Sequence, residues 1–203
     1  MSARKTKLTN EERYAAVLQA NVRALWSGAI TRAQFISLMM AAVQRYLMLA
    51  WAEGAQDEDL TGLLDLTYEE AAALQELIWM EWMFVDRFAD DIVERDEAGG
   101  FPLGPFIRRT DLWVNRFASV RIKAQVMARA DEKSEWRLGF RKEHCRSCVK
   151  LHGITKRNST WASAGILPRV AGAPYLDCHG WLCACSLYPT SDPITPGPLP
   201  PLP

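Results

Sequence analysis

The chain has 203 residues, enough for one domain of ordinary size or one domain with a small appendage. Its residues are 49% apolar and 24% charged, a globular composition that excludes a disordered chain. Lysine plus arginine and aspartate plus glutamate number 24 each, so no bulk charge draws it to nucleic acid.

Zero net charge conceals segregation. Residues 1–52 carry 7 basic and 2 acidic side chains, residues 53–97 carry 2 and 15, and residues 98–142 carry 10 and 4. Such runs usually form solvated helix faces; the acidic block can also lie against its basic neighbours or a basic partner. The basic N-terminus is not followed by an apolar core and cleavage site, so no secretory leader is expected. The most apolar stretch, Ala33 to Ala52, is interrupted by Gln34, Gln44 and Arg45, which argues against a membrane span.

In chain order, residues 1–8 read as a loose basic arm. Thr9-Asn-Glu-Glu12 is a capping box, in which the threonine oxygen accepts from an early helical amide while the glutamate reaches back. It predicts a helix to about Ser27, stopped at Gly28. Thr31-Arg-Ala-Gln34 is a second box, followed by Phe35, Leu38, Met39, Ala42, Tyr46 and Ala50 at helical spacing, with a stop at Gly54. The two helices should form an antiparallel hairpin. Thr67-Tyr-Glu-Glu70 opens a third, long helix to about Asp96. Its stripe of Leu74, Leu77, Ile78, Val85, Phe88 and Ile92 is widened by Trp79, Met80, Trp82, Met83 and Phe84. That is more apolar circumference than a surface helix needs. The segment is therefore central in a bundle, the commoner use of such residues, or residues 77–88 dock another chain.

Gly99-Gly100-Phe-Pro-Leu-Gly-Pro105 breaks the chain, and a fourth helix is expected from about Phe106 to Lys133. From Trp136 to Phe140 the pattern alternates and reads as a strand. A turn or short helix follows Cys148, another helical turn falls at Ser159-Thr-Trp161, and a return strand at Leu182 to Leu187. Seven prolines from Pro189 to Pro203 make an extended tail outside the packed core. The expected architecture is mainly α. It comprises an N-terminal bundle of about four helices (1–133), a small C-terminal α+β module (134–188) and a proline-rich tail (189–203).

The chemistry concentrates in that module. All five cysteines lie between Cys145 and Cys185, with His144, His152 and His179 nearby. Cys145-x2-Cys148 lets two sulfurs converge on one ion from a tight turn, and Cys178-x4-Cys183, with Gly180 easing its turn, supplies a second pair. The favoured ligands of a structural zinc are Cys145, Cys148, Cys178 and Cys183; Cys185 or His179 can replace Cys178. Four thiolates leave no open position for water, so the site reads as structural, with no catalytic residue assigned. A module of ~50 residues has too little core to fold well alone, and metal binding can supply the missing free energy. A nucleic-acid-binding zinc protein, or a zinc-stapled nuclease with His144 or His152 as base, is the alternative. Arg141, Lys142, Arg146, Lys150, Lys156 and Arg157 around the cysteines motivate it. No hydrolase, metalloprotease, phosphate-loop or deaminase motif is present.

One ordered set is distinctive: a long helix, Trp136, Cys145-x2-Cys148, Leu151-His-Gly153, Ser159-Thr-Trp161, Pro168 and a closing Cys183-x-Cys185. It resembles the C-terminal region of tailed-phage minor head proteins, the Mu-like head-morphogenesis family, over about residues 120–188. Many members close with His-Pro-x-Cys-Arg-Cys; here Gly180-Trp181-Leu182 precede Cys183, and Cys178 would do the histidine's job. The resemblance implies a few-copy virion or prohead component near the portal vertex, assembled in the bacterial host cytoplasm. Its implied partners are portal or capsid proteins, with DNA contact in some cases. Some relatives carry appended enzyme domains; a proline tail in that place implies no enzyme.

Overall fold

The computed structural model describes residues 8–57, 59–97, 101–140, 142–180 and 183–202. The basic arm up to residue 7, Gly99 and Gly100, Arg141, and the expected strand start at Leu182 lie outside them. The fold is mainly α, 57% helix and 6% strand, with one small three-stranded sheet near the C-terminus. It comprises two compact units: Met1–Leu49 with Ala72–Phe117, and Ala50–Ala71 with Ala118–Pro203. The C-terminal unit therefore reaches well back of residue 134 and takes in parts of three helices.

In the first unit, α1 (Asn10–Trp26) begins at the expected box. The Glu12 amide donates to Thr9 Oγ1 (3.2 Å) and the Thr9 amide to Glu12 Oε2 (2.7 Å). Such caps typically contribute about 1 kcal/mol. α2 (Arg32–Ala55) starts on the Thr31–Gln34 box, with reciprocal bonds of 2.8 and 3.2 Å. Tyr14 stacks on Tyr46 at 4.9 Å, which makes α1 and α2 antiparallel. The core of this unit is Tyr14, Leu18, Val22, Phe35, Met39, Val43, Leu47, Leu74, Ile78, Phe88, Ile92, Phe106, Trp113 and Phe117.

The long third helix is two. α3 (Tyr68–Trp82) keeps the Thr67–Glu70 box, and α4 (Val85–Glu97) follows a break at Met83–Phe84. No glycine or proline marks that break. Tertiary anchors fall beside it instead. The buried Glu81 carboxylate accepts from Arg116 Nε (2.6 Å), and the Trp82 indole donates to the Met40 carbonyl (3.0 Å). The Phe84 amide bonds back to Glu81 with 3₁₀ spacing, which closes α3.

The fourth helix is likewise divided, into α5 (Gly104–Arg109) and α6 (Asp111–Ala128). Buried Thr110 makes the joint, its hydroxyl donating to the Ile107 carbonyl (2.6 Å) in competition with the helical ladder. Part of the acidic block does lie against basic neighbours. Arg32 pairs with Asp86 (2.8 Å) and Asp90 (2.6 Å), and Arg109 pairs with Asp91.

In the second unit α2 ends at Ala55, one residue past the expected stop at Gly54. There α2 runs close against α6; a Cβ on Gly54 would overlap the Arg121 carbonyl. The chain leaves the helix at Gln56, which adopts φ 57°. α2 is long and apolar enough to cross a membrane by length and composition.

β1 (Lys133–Arg137) is the middle strand of the order β2-β1-β3, antiparallel to β2 (Thr155–Arg157) and β3 (Ser186–Pro189). The predicted strand at Trp136 thus starts earlier and ends before Leu138, β2 was not foreseen, and the return strand begins at Ser186. α7 (Arg146–Leu151) and α8 (Asn158–Ser163) are single short turns. Trp136 and Trp161, both fully buried, meet at 5.6 Å, and the Trp161 indole donates to the Ser134 carbonyl (3.1 Å).

After Pro189 the described proline tail forms neither helix nor strand, and it belongs to the unit's packing. Leu199 and Leu202 pack against the core around Trp136 and Trp161. Three lysines hold its backbone: Lys133 to the Ser191 and Asp192 carbonyls, Lys156 to those of Thr195 and Gly197, and Lys150 to that of Pro201.

Candidate metal centre

The five cysteines converge. Cys145, Cys148 and Cys178 form one group and Cys148, Cys183 and Cys185 another, each with its sulfurs within 4.8 Å of one another. Cys148 belongs to both and is 1% exposed. Its Sγ lies 4.0 Å from that of Cys183. Thiolates on one tetrahedral zinc, with bonds of about 2.3 Å, stand about 3.8 Å apart, so these spacings suit a shared ion.

Local structure explains the convergence. Cys145 is the N-cap of α7, its sulfur accepting from the Cys148 amide (3.4 Å), so one helical turn presents both sulfurs together. Ser147 and Asp177 tie that turn to the loop bearing Cys178. The Ser147 amide donates to Asp177 Oδ2 (3.1 Å), and the Asp177 amide donates to Ser147 Oγ (3.0 Å). Beyond Cys178 the chain reverses through His179 (φ 46°) and Gly180 (φ 72°). A Cβ on Gly180 would overlap the Val170 carbonyl, so this turn requires glycine. Arg169 donates to the Ala184 carbonyl (3.2 Å), which fixes the backbone between Cys183 and Cys185. Ser119 on α6 in turn holds the Arg169 carbonyl.

A backbone amide supports one sulfur directly: that of Cys148 donates to Cys145 Sγ (3.4 Å). Such bonds favour thiolate over thiol. Without a cation the sulfurs cannot all ionise. Cys148 is pushed far above the usual thiol range because it donates toward Cys183 and Cys185 and is desolvated. The same bonds from Cys148 and Cys185 pull Cys183 down to about 2. Desolvation pushes Cys178 up to about 12. A soft, thiol-rich set crowded this closely fits a thiophilic metal ion; these cysteine groups can hold one.

The predicted ligands Cys145, Cys148 and Cys178 thus share one group, while Cys183 joins Cys148 in the other. Cys185, read only as a substitute, lies inside the cluster. Among the described residues neither group includes a histidine. His179 is exposed, and His152 lies with Nδ1 3.4 Å from the Trp136 carbonyl. His144 stands beside the cluster, its Nδ1 3.9 Å from Cys185 Sγ. Sequence reasoning passed over Ser147, Asp177 and Arg169. The first two sit within or next to cysteine motifs, but only the fold reveals their pairing.

No family model matches the chain, and neither does any curated protein or solved structure.

Proposed function

We propose that this is a non-enzymatic structural protein of phage-head assembly, built of helices that dock a partner and a C-terminal unit clamped by zinc. The observation that carries the clamp is the cluster itself, four sulfurs gathered around that of buried Cys148. Cys148 and Cys185 are part of the hydrophobic core that includes Trp136, Trp161 and Leu187. A reactive thiol centre needs exposure to a substrate; this one is packed as a core. Zinc is the proposed ion because a closed, thiolate-rich set is its usual structural site.

Docking is proposed through the end of α3 and the break after it. Trp79, Met80, Met83 and Phe84 are 59%, 43%, 59% and 55% exposed, four large apolar side chains within six residues. Aromatic and methionine side chains of this kind are enriched at protein interfaces. The phage setting, near the portal and in contact with portal or capsid protein, rests on the resemblance of residues 120–188. We read α2 as a core helix because Phe35, Met39, Val43, Leu47 and Trp51 are fully buried in the protein.

The nucleic-acid reading has less to stand on. Lys156 is buried and bonded to two tail carbonyls, Lys150 holds the Pro201 carbonyl, and Arg157 donates to the Asp131 carbonyl (2.5 Å). The test is co-sedimentation of the full chain with proheads and with portal protein from its genomic neighbours. Binding that Trp79→Asp abolishes supports the reading; a chain that sediments with neither contradicts it.

A further inference from the structure

The sulfurs do not form a single foursome. They form two threesomes that share Cys148. We propose that the centre holds two metal ions bridged by the Cys148 thiolate: one bound by Cys145, Cys148 and Cys178, the other by Cys148, Cys183 and Cys185. This rests on the zinc reading above and goes beyond it in the number of ions and their ligands.

The first support is position. Cys148 is 1% exposed and is the only one of the five within 4.8 Å of every sulfur in both groups. A single tetrahedral ion bound by the set expected from sequence would need Cys183 close to Cys145 and Cys178. The structure instead groups it with Cys148 and Cys185.

Charge is the second. Five thiolates around one divalent ion leave a net charge of −3, and around two they leave −1. A largely buried site strongly penalises the larger uncompensated charge. A single ion would also leave at least one cysteine of the cluster without a metal bond.

The third is contact between the groups. Cys148 Sγ lies 4.0 Å from Cys183 Sγ, while the Cys148 amide donates to Cys145 Sγ (3.4 Å), so this one residue touches a sulfur of each group. A bridging thiolate divides its charge between two cations. Each ion then has three cysteine ligands, one short of the four of a closed zinc site.

The test is zinc content of the purified full chain after loading with zinc(II) and removal of excess, with helicity followed by circular dichroism. Two zinc per chain are expected. Cys178→Ser and Cys185→Ser should each lower the count to about one while keeping the helical signal. Cadmium(II) substitution should give two distinct cadmium-113 resonances. One zinc per chain with a single cadmium resonance overturns the bridge and leaves the structural zinc intact. No zinc in folded protein overturns both.

Discussion

Gly54 gives a sharp test of how α2 is built into the second unit. Judged by helix propensity alone, Gly54→Ala at the C-terminal end of α2 should stabilise by at most about 1 kcal/mol. The structure reverses the sign. An added Cβ would overlap the Arg121 carbonyl oxygen and come within 2.8 Å of the Ala124 Cβ. Carbon atoms pack at about 3.5–4.0 Å, so the two helices must separate by roughly 1 Å. The obstacle is backbone, with no side chain to rotate away. Overpacking of this kind costs about 1–3 kcal/mol or more, and the close approach here points to the upper end. Set against the propensity gain, the net loss is about 2 kcal/mol, a fall of roughly 4–8 °C in Tm for a chain of this size. Urea and thermal denaturation of the metal-loaded protein measure it. Gly62→Ala, where an added Cβ would meet nothing within 4 Å, is the control. A Gly54→Ala protein as stable as the parent, or more so, would refute this packing of α2 on α6.

Lys156→Met should release the tail, because the ammonium holds the Thr195 and Gly197 carbonyls at 2.6 Å each. Bonds to a charged donor contribute about 1.5–3 kcal/mol, so cleavage near Thr195 in limited proteolysis should accelerate several-fold. Unchanged protection would count against the clamp. Glu81→Ala leaves Arg116 without its carboxylate in a partly buried site and should cost about 3 kcal/mol in urea unfolding. The Glu81 carboxyl is held above its ordinary value by burial, with Arg116 opposing. The folded chain therefore binds that proton more readily than the unfolded one. This group's contribution to stability falls as pH rises from the ordinary glutamate value through the raised one, and Glu81→Gln should flatten that slope. Cys145→Ser should melt the C-terminal unit, seen as loss of tryptophan near-ultraviolet signal, while most far-ultraviolet helicity persists. Loss of all helicity would show that the two units do not unfold separately.

What could be read from the sequence divides along physical lines. Helix starts were legible because capping is local: Thr9 with Glu12, Thr31 with Gln34, and Thr67 with Glu70 all formed their boxes. The breaks at Met83–Phe84 and Thr110 were not, because no glycine or proline causes them. Tertiary bonds of Glu81 and Trp82, and one threonine hydroxyl, set their positions. Apolar residues alone could not tell core from surface on α3. Leu74 and Ile78 went inside, while Trp79 and Met80 stayed exposed.

The cysteine cluster announced itself by confinement to one window. Its internal grouping did not, since it depends on the Ser147–Asp177 tie and the reversal at Gly180. Lys156 looked like surface charge from its neighbours in sequence. Only the path of the tail shows that its ammonium is enclosed and bonded.

The central claim is that metal holds the cysteine-rich unit together. The most direct measurement is elemental analysis of the full chain purified under reducing conditions without added metal, followed by chelation and near-ultraviolet dichroism. Zinc should co-purify at one or more ions per chain, and its removal should erase the tryptophan signal of this unit. Metal-free protein that is fully folded would contradict the claim.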